Sequence, residues 1–209
     1  MFSERIRFSQ ARVLIAAMAL VWIVAGGCAS TKVERVDVGE TIDLSGMWND
    51  SDSRMVSDEM ITDALSRSWV ADFKTKHQGT APVVIVGEVR NRSDEHINTR
   101  TFTKDLERAF VNAGDVDVVA SSDERGELRE ERVDQAANAT EATAKEQGQE
   151  TGADFMLKGS INTITDKIDG KQVKYYQVNL ELMHIESNRK VWIGEKKIKK
   201  LVKQSRFGF

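Results

Sequence analysis

One cysteine and one proline stand in a chain of 209 residues, and each scarcity excludes something. A single thiol cannot close a disulfide within the chain, so a fold in an oxidising compartment must be held by packing alone. With Pro82 the only proline, no proline-rich spacer precedes the domain. The three histidines, His77, His96 and His184, lie far apart. None has the His-Glu-x-x-His kind of spacing that sets two ligands on one helix face, so a metal centre has no visible donor set. No Gly-x-Ser-x-Gly elbow surrounds Ser45 or Ser160, and the glycines form neither a phosphate-cradling loop nor a dinucleotide fingerprint. Neighbouring carboxylates such as Asp58 and Glu59, or Glu130 and Glu131, fall in polar helical stretches, where a solvated face explains them better than an acid/base pair. The reading is of no catalytic residue, no cofactor and no small-molecule substrate. Positive charge is also in short supply: the formal net charge is −3, and −5 once residues 1–27 are removed, which argues against a nucleic-acid partner.

What is present begins with an export signal. Arg5, Arg7 and Arg12 precede an apolar run at 13–25, and small residues lead into Cys28, the order that a secretory leader requires. The apolar run is 13 residues long, short of the roughly 20 that a helix needs to cross a bilayer. Residues 1–27 are therefore expected to be removed as a signal peptide. Ala25-Gly26-Gly27-Cys28 resembles the bacterial lipobox, with Ala25 where leucine is usual, and the resemblance implies lipidation of Cys28 and a membrane anchor. The competing reading, a small buried core cysteine, fits neither the position nor the flanks. Residues 28–209 then make a mature chain of 182 residues, enough for one domain with a real core. It divides into a lipidated tether at 28–40 and a single globular domain at 41–209.

Along the tether Val33, Val36 and Val38 show no helical stripe, and the stretch reads as a linker running toward an edge strand. Asn49, Asp50, Ser51, Asp52 and Ser53 supply helix N-caps. Behind them Val56, Met60, Ile61, Ala64, Leu65, Trp69 and Phe73 share one side of a helix expected over about 54–75. Pro82 opens a β-branched strand at 83–89 that ends in a polar loop, Asn91, Arg92, Ser93 and Asp94. Thr99 or Thr101 can cap the next helix, whose stripe is Phe102, Leu106, Ala109 and Phe110 and which Gly114 ends in the left-handed conformation. A short strand at 116–120 completes a strand–helix–strand unit, which implies a parallel pair. Residues 121–151 are rich in Glu, Arg, Gln and Ala and read as two surface helices stopped by Gly148 or Gly152. Strands at 155–168, 173–185 and 191–202, joined by turns at Asp169-Gly170 and Ser187-Asn188, read as an antiparallel meander. In its middle strand Tyr176, Val178, Leu180 and Leu182 point one way while Asn179 and Glu181 point the other. The expected fold class is α/β: a mixed sheet of about five strands with a C-terminal antiparallel meander and helices packed on its apolar face.

Four stretches carry a family resemblance. They are Leu44-Ser45-Gly46-Met47-Trp48-Asn49-Asp50-Ser51-Asp52-Ser53, Pro82-Val83-Val84-Ile85-Val86-Gly87 with Asn91-Arg92-Ser93, Gly152-Ala153-Asp154-Phe155-Met156-Leu157-Lys158-Gly159, and Val191-Trp192-Ile193-Gly194-Glu195-Lys196-Lys197-Ile198. Together they resemble the LpoB-type penicillin-binding protein activators, over nearly the whole mature chain. The Gly-Ala-Asp strand also recurs in the TolB N-terminal type of domain and in the curli-secretion lipoproteins, so the resemblance implies a TolB N-terminal-like sandwich. It further implies an outer-membrane lipoprotein facing the periplasm that binds a bifunctional peptidoglycan synthase and stimulates glycan polymerisation and crosslinking, as an allosteric partner and no enzyme. Ala29 is not the Asp that retains lipoproteins in the inner membrane under the usual sorting rule. The alternative is a structural or assembly lipoprotein of an outer-membrane secretion complex, against which Lys196, Lys197, Lys199 and Lys200 interrupt any lipid-facing apolar band. This chain departs from the family in its tether. Residues 29–40 span at most roughly 40 Å extended and on the order of 20 Å as a coil.

The candidate contact residues are few. Trp48 is either an interface anchor or ordinary packing beside a helix start. Asn91, Arg92, Ser93 and Asp94 either display binding groups at a strand end or are there because they turn well. Tyr176 and Trp192 are read first as core and second as partner-binding.

Overall fold

A computed structural model describes residues 32–203, so the leader and Cys28 lie outside the described residues. Backbone contacts divide the chain into Met1–Glu40 and Thr41–Phe209. In the first unit residues 32–40 form no strand and Val33 and Val38 are exposed, so the expected run into an edge strand does not occur there.

In the second unit the cap cluster behaves as its residue types dictate. Asn49 accepts from the Asp52 backbone N–H at 3.0 Å while Asp52 accepts from the Asn49 N–H at 3.0 Å, a reciprocal capping box that satisfies two otherwise orphaned donors. Helix α1 runs Asp50–Leu65 and buries Val56, Met60, Ile61 and Ala64. The single helix expected over about 54–75 is in fact two, because α2 is a separate helix, Trp69–Lys76. Ser66 Oγ donates to the Asp63 carbonyl, Ser68 Oγ to Asp72, and the Trp69 indole N–H to the Ala64 carbonyl at 2.7 Å. Side chains thus take up the carbonyls and hydroxyls that would otherwise favour continuity, while the four-residue spacing from Leu65 to Trp69 to Phe73 keeps the apolar stripe in phase.

Strand β1 is Val83–Arg92 and helix α3 is Thr99–Ala113. The α3 cap is Asn98, whose side chain accepts from the Arg100 N–H, and not Thr99 or Thr101; Gly114 ends the helix at φ 73° as expected. Strand β2 is the short Asp117–Val119 and pairs parallel with β1. One helix, α4 (Ser122–Asn138), stands where two were expected. Residues 139–151 form turns and irregular chain instead of a second helix, and α4 buries nothing, so it has no apolar face to pass on to a successor. The meander follows as β3 (Phe155–Ile168), β4 (Lys171–His184) and β5 (Lys190–Lys203). Its first turn has positive φ at both Asp169 and Gly170, the twist that a two-residue hairpin requires.

The sheet order is β2-β1-β3-β4-β5, with β1 parallel to both β2 and β3 and the β3–β4 and β4–β5 pairs antiparallel, a mixed five-stranded sheet as expected. One face is covered by α1, α2 and α3 around Phe102, Leu106, Phe110, Leu157, Ile161, Val178, Leu180 and Leu182. Gly159, Leu180 and Gly194 lie side by side across three strands. A Cβ on Gly159 would overlap the Asn179 carbonyl, and one on Gly194 would overlap the Trp192 ring and approach Met60 of α1. At Gly194 the missing side chain leaves room for Met60 of α1, while at Gly159 it leaves room for β4 itself.

Candidate functional site

The meander alternates strictly, so any residue in phase with Tyr176 and Val178 faces the helices. Lys174 is in phase, and it is buried. Its ammonium lies 2.6 Å from Glu95, whose side chain is equally buried. Glu95 is a hub: its carboxylate also accepts from the Tyr176 hydroxyl at 2.8 Å and from the Trp48 backbone N–H at 3.2 Å. Burial first, and the Glu95 carboxylate second, push the Tyr176 phenol far above its ordinary range, so it stays neutral and donates. The hydroxyl also reaches the Gly46 carbonyl at 3.1 Å. A second cluster lies beside the first. Lys200 contacts Asp52 at 2.6 Å, Asp43 at 2.9 Å and the Met47 carbonyl at 3.0 Å. Burial works against its charge, but Asp52 and Asp43 outweigh that and hold its pKa above the usual value. Each buried charge is paired and hydrogen-bonded, the condition on which burial is tolerable.

Together these groups clamp residues 43–49 against the sheet. Gly46 takes φ 67° with its α-carbon hard against Val202, a left-handed position that suits only glycine without strain. Trp48 is half-buried, edge-on to Phe102 and Tyr176 at 5.9 and 5.7 Å, and its indole N–H donates to Ser53 at 2.8 Å. The stretch Leu44 to Ser53, prominent in the sequence, is thus a strap whose polar groups are consumed in holding it down.

The remaining candidates fall elsewhere. Asn91 and Arg92 belong to β1 and pair with Ile161 and Asn162, not to a loop. The strand runs three residues further than expected because β1 carries a bulge between Val86 and Val89, with Gly87 against the Leu157 carbonyl. The extra residue returns Val89 to the core and turns Arg90 and Arg92 to the opposite face. Ser93 and Asp94 do form the bend, where Asn91 Oδ1 accepts from the Ser93 N–H and Asp94 accepts from the Thr163 hydroxyl at 2.6 Å. That hydroxyl above all holds the Asp94 carboxyl below its usual range. The Asn91 amide donates to the Glu95 carbonyl at 2.7 Å, so this bend and the strap share one residue. Tyr176 and Trp192 are both buried, with the Trp192 indole donating to Asp63 at 2.8 Å. Neither offers a surface. The sequence had marked Asp52 only as a capping residue and Lys200 only as a break in an apolar band, and had not marked Glu95 or Lys174 at all. The signal for Lys174 was there, two residues ahead of Tyr176 on the inward phase, but nothing local marks Glu95.

Among the described residues the other face of the sheet is exposed about Arg90, Arg92 and Lys158. Across it run Arg90, Arg92, Lys158, Ser160, Asn179 and Glu181, lining a shallow cleft of about 480 Å³. A second cleft, about 510 Å³ at the 184–190 turn, is rimmed by Arg67 and Lys190, which Asp63 and Glu181 already engage. Among the described residues no group of three or more His, Cys, Asp or Glu is placed to hold a metal ion, and no helix is long and apolar enough to cross a membrane.

A two-layer α/β sandwich with internal charges spent on its own strap and one broad sheet face left uncovered is a domain that presents a surface. The family model described as peptidoglycan-synthase activator LpoB matches residues 52–198, from α1 into β5, and the chain belongs to that family. Among solved structures it is similar to the LpoB C-terminal domain from Escherichia coli at 17% identity, covering 71% of this chain and 99% of that one with a TM-score of 0.44. The corresponding domain from Salmonella enterica gives 16%, the same coverages and a TM-score of 0.40. An NMR structure of E. coli LpoB gives 16%, 86% and 85%, and 0.42. No curated protein matches the chain.

Proposed function

We propose that the mature chain, anchored in the outer membrane through acylated Cys28, binds a bifunctional peptidoglycan synthase from the periplasmic side and raises its rate of glycan polymerisation and crosslinking. It has no chemistry of its own in this role. The observation that carries the reading is the family match, which extends from Asp52 in α1 across the covered core to Ile198 in β5. It favours an activator over a component of a secretion complex.

A ligand raises an enzyme's rate by binding its active state more tightly than its inactive state, so affinity and activation are linked. The surface we assign to the partner is the uncovered sheet face about Arg90, Arg92 and Lys158. Their backbone is fixed on paired strands before binding, which lowers the ordering penalty on association. With a tether of 12 residues at 29–40, the synthase's own regulatory domain must do most of the spanning. The test adds the acylated chain to a purified synthase and follows glycan polymerisation. The rate should rise to a plateau, and Arg92→Glu with Lys158→Glu should weaken binding by about tenfold or more while leaving the melting temperature unchanged. An unchanged rate at saturating chain, with binding confirmed, would leave a scaffold and no activator.

A further inference from the structure

The end of the uncovered sheet face beyond Arg92 gathers features that neither the core nor the charged cleft about Arg90, Arg92 and Lys158 uses. Beyond Arg92 strand β1 stops, while β3, β4 and β5 continue to the Asp169-Gly170 turn. On that protruding end Ile164, Ile168 and Leu201 are 67%, 71% and 58% exposed. Lys167, Lys171, Lys199 and Lys203 surround them, with Asp166 and Asp169 the only acids on the hairpin tip. Large exposed aliphatics among lysines are costly in water and match a lipid–water interface, where the aliphatics enter and the ammonium groups reach the headgroups.

The path of the chain brings a membrane to the same end. Asp43 contacts Lys200, and Gly46 lies against Val202, three residues or fewer from the end of β5 at Lys203. Leu44, between them, is 93% exposed. The globular unit begins at Thr41, two residues before Asp43, so the tether leaves from beside the hairpin. Cys28 lies 13 residues before Thr41. A tether with a usual extent on the order of 20 Å holds this end at an effective concentration in the millimolar range at the membrane, so a weak contact is enough to be populated.

We propose that the β3–β4 hairpin end, with Ile164, Ile168, Leu201 and Leu44, rests on the anionic phospholipid surface of the membrane that holds the lipid anchor. The contact fixes which way the uncovered sheet face looks. This rests on the reading that Cys28 is acylated. Because that thiol is then blocked, one introduced cysteine can be labelled alone. Acylated chains carrying Ile168→Cys or, at the far end of β5, Ile193→Cys (63% exposed in the parent) are labelled with a polarity-sensitive dye and reconstituted in vesicles of phosphatidylcholine with or without phosphatidylglycerol. The two positions are separated by about 33 Å along the sheet, since Ile168 stands level with Lys203 through Lys171 and ten residues of strand separate Ile193 from Lys203. At position 168 the dye should brighten by more than about twofold with phosphatidylglycerol and be quenched by a spin-labelled lipid, while at 193 it stays dark. Lys167→Glu with Lys171→Glu and Lys203→Glu should abolish the signal. Flotation with the vesicles reports the anchor separately. A floating chain that is dark at 168, equal at 168 and 193, or equally bright without anionic lipid overturns the proposal alone. Loss of flotation in every arm would remove the anchor and the proposal with it.

Discussion

Residues 32–153, which hold the four helices found among the described residues, carry a net formal charge of −11, whereas the meander at 154–203 carries +5. The two regions use that charge differently. Alternation sorts the meander's lysines by phase. Lys174 and Lys200 turn inward and are consumed by Glu95, Asp52 and Asp43 from the acidic half, while Lys158, Lys197 and Lys199 turn outward and stay at the surface. Helix α4 buries nothing, and its Glu and Arg pair locally, Lys104 with Glu124 and Arg129 and Arg132 with Glu150. A charge therefore matters to this fold according to the phase of the element that bears it, not to the number of partners nearby.

The sharpest way to break that contrast is to remove the hub. Glu95→Ala should cost about 3–5 kcal/mol, because Lys174 is left buried without a counter-charge; Glu95→Gln with Lys174→Met should recover more than half of it, measured by urea unfolding. Equal losses in the single and double variants would show that the hydrogen bonds to Tyr176 and Trp48, and not the charge, are what the fold needs.

Next in size is a glycine exchange made once in each region. Gly159→Ala should destabilise by about 1–3 kcal/mol through overpacking against the Asn179 carbonyl. Gly126→Ala in α4, where nothing lies within 4 Å, should stabilise by about 0.5–1 kcal/mol. Thermal melting of both variants checks the pair, and a gain at Gly159 would mean that β4 gives way at Asn179 and Leu180 more readily than its contacts indicate.

The smallest effect belongs to the acid side of α4. Lys104 holds the Glu124 carboxyl, and Arg129 the Glu150 carboxyl, down at about 2 from 4.5. Since both folded values are depressed, what these pairs contribute is fully present above pH 4.5 and is lost as pH falls from there toward 2. Both groups are largely solvated, so the loss is small. Amide chemical shifts of α4 should move over that window while those of β4 hold, and simultaneous movement would show that α4 is coupled to the core after all.

The covered half of the molecule was readable from the sequence wherever periodicity governs. Tyr176, Val178, Leu180 and Leu182 announced the inner face of β4, and Gly114 the end of α3. The reading failed where a side chain overrides periodicity: at Ser66 to Trp69, where local hydrogen bonds divide a helix whose stripe continues, and at Gly87, where a bulge lengthens β1 and re-aims Arg92. It also failed at Glu95, because the groups that make it a hub, Trp48, Lys174 and Tyr176, lie up to 81 residues away and leave no trace in its neighbours. The candidate residues Tyr176 and Trp192 were legible as core for the same reason that they are poor contacts: each sits on an inward phase.

The strap has a consequence for the order in which the protein assembles. Its carbonyls at Gly46 and Met47 are held by side chains 130 and 153 residues later, among the longest sequence separations in the molecule. Closing so long a loop is slow, and it is rewarded only once the distant strand is in place. The strap is the first segment of the domain to be made, yet its carbonyl at Met47 takes its partner from β5, the last strand. Until β5 has added to β4, the contacts of Lys200 with Asp43, Asp52 and the Met47 carbonyl cannot form.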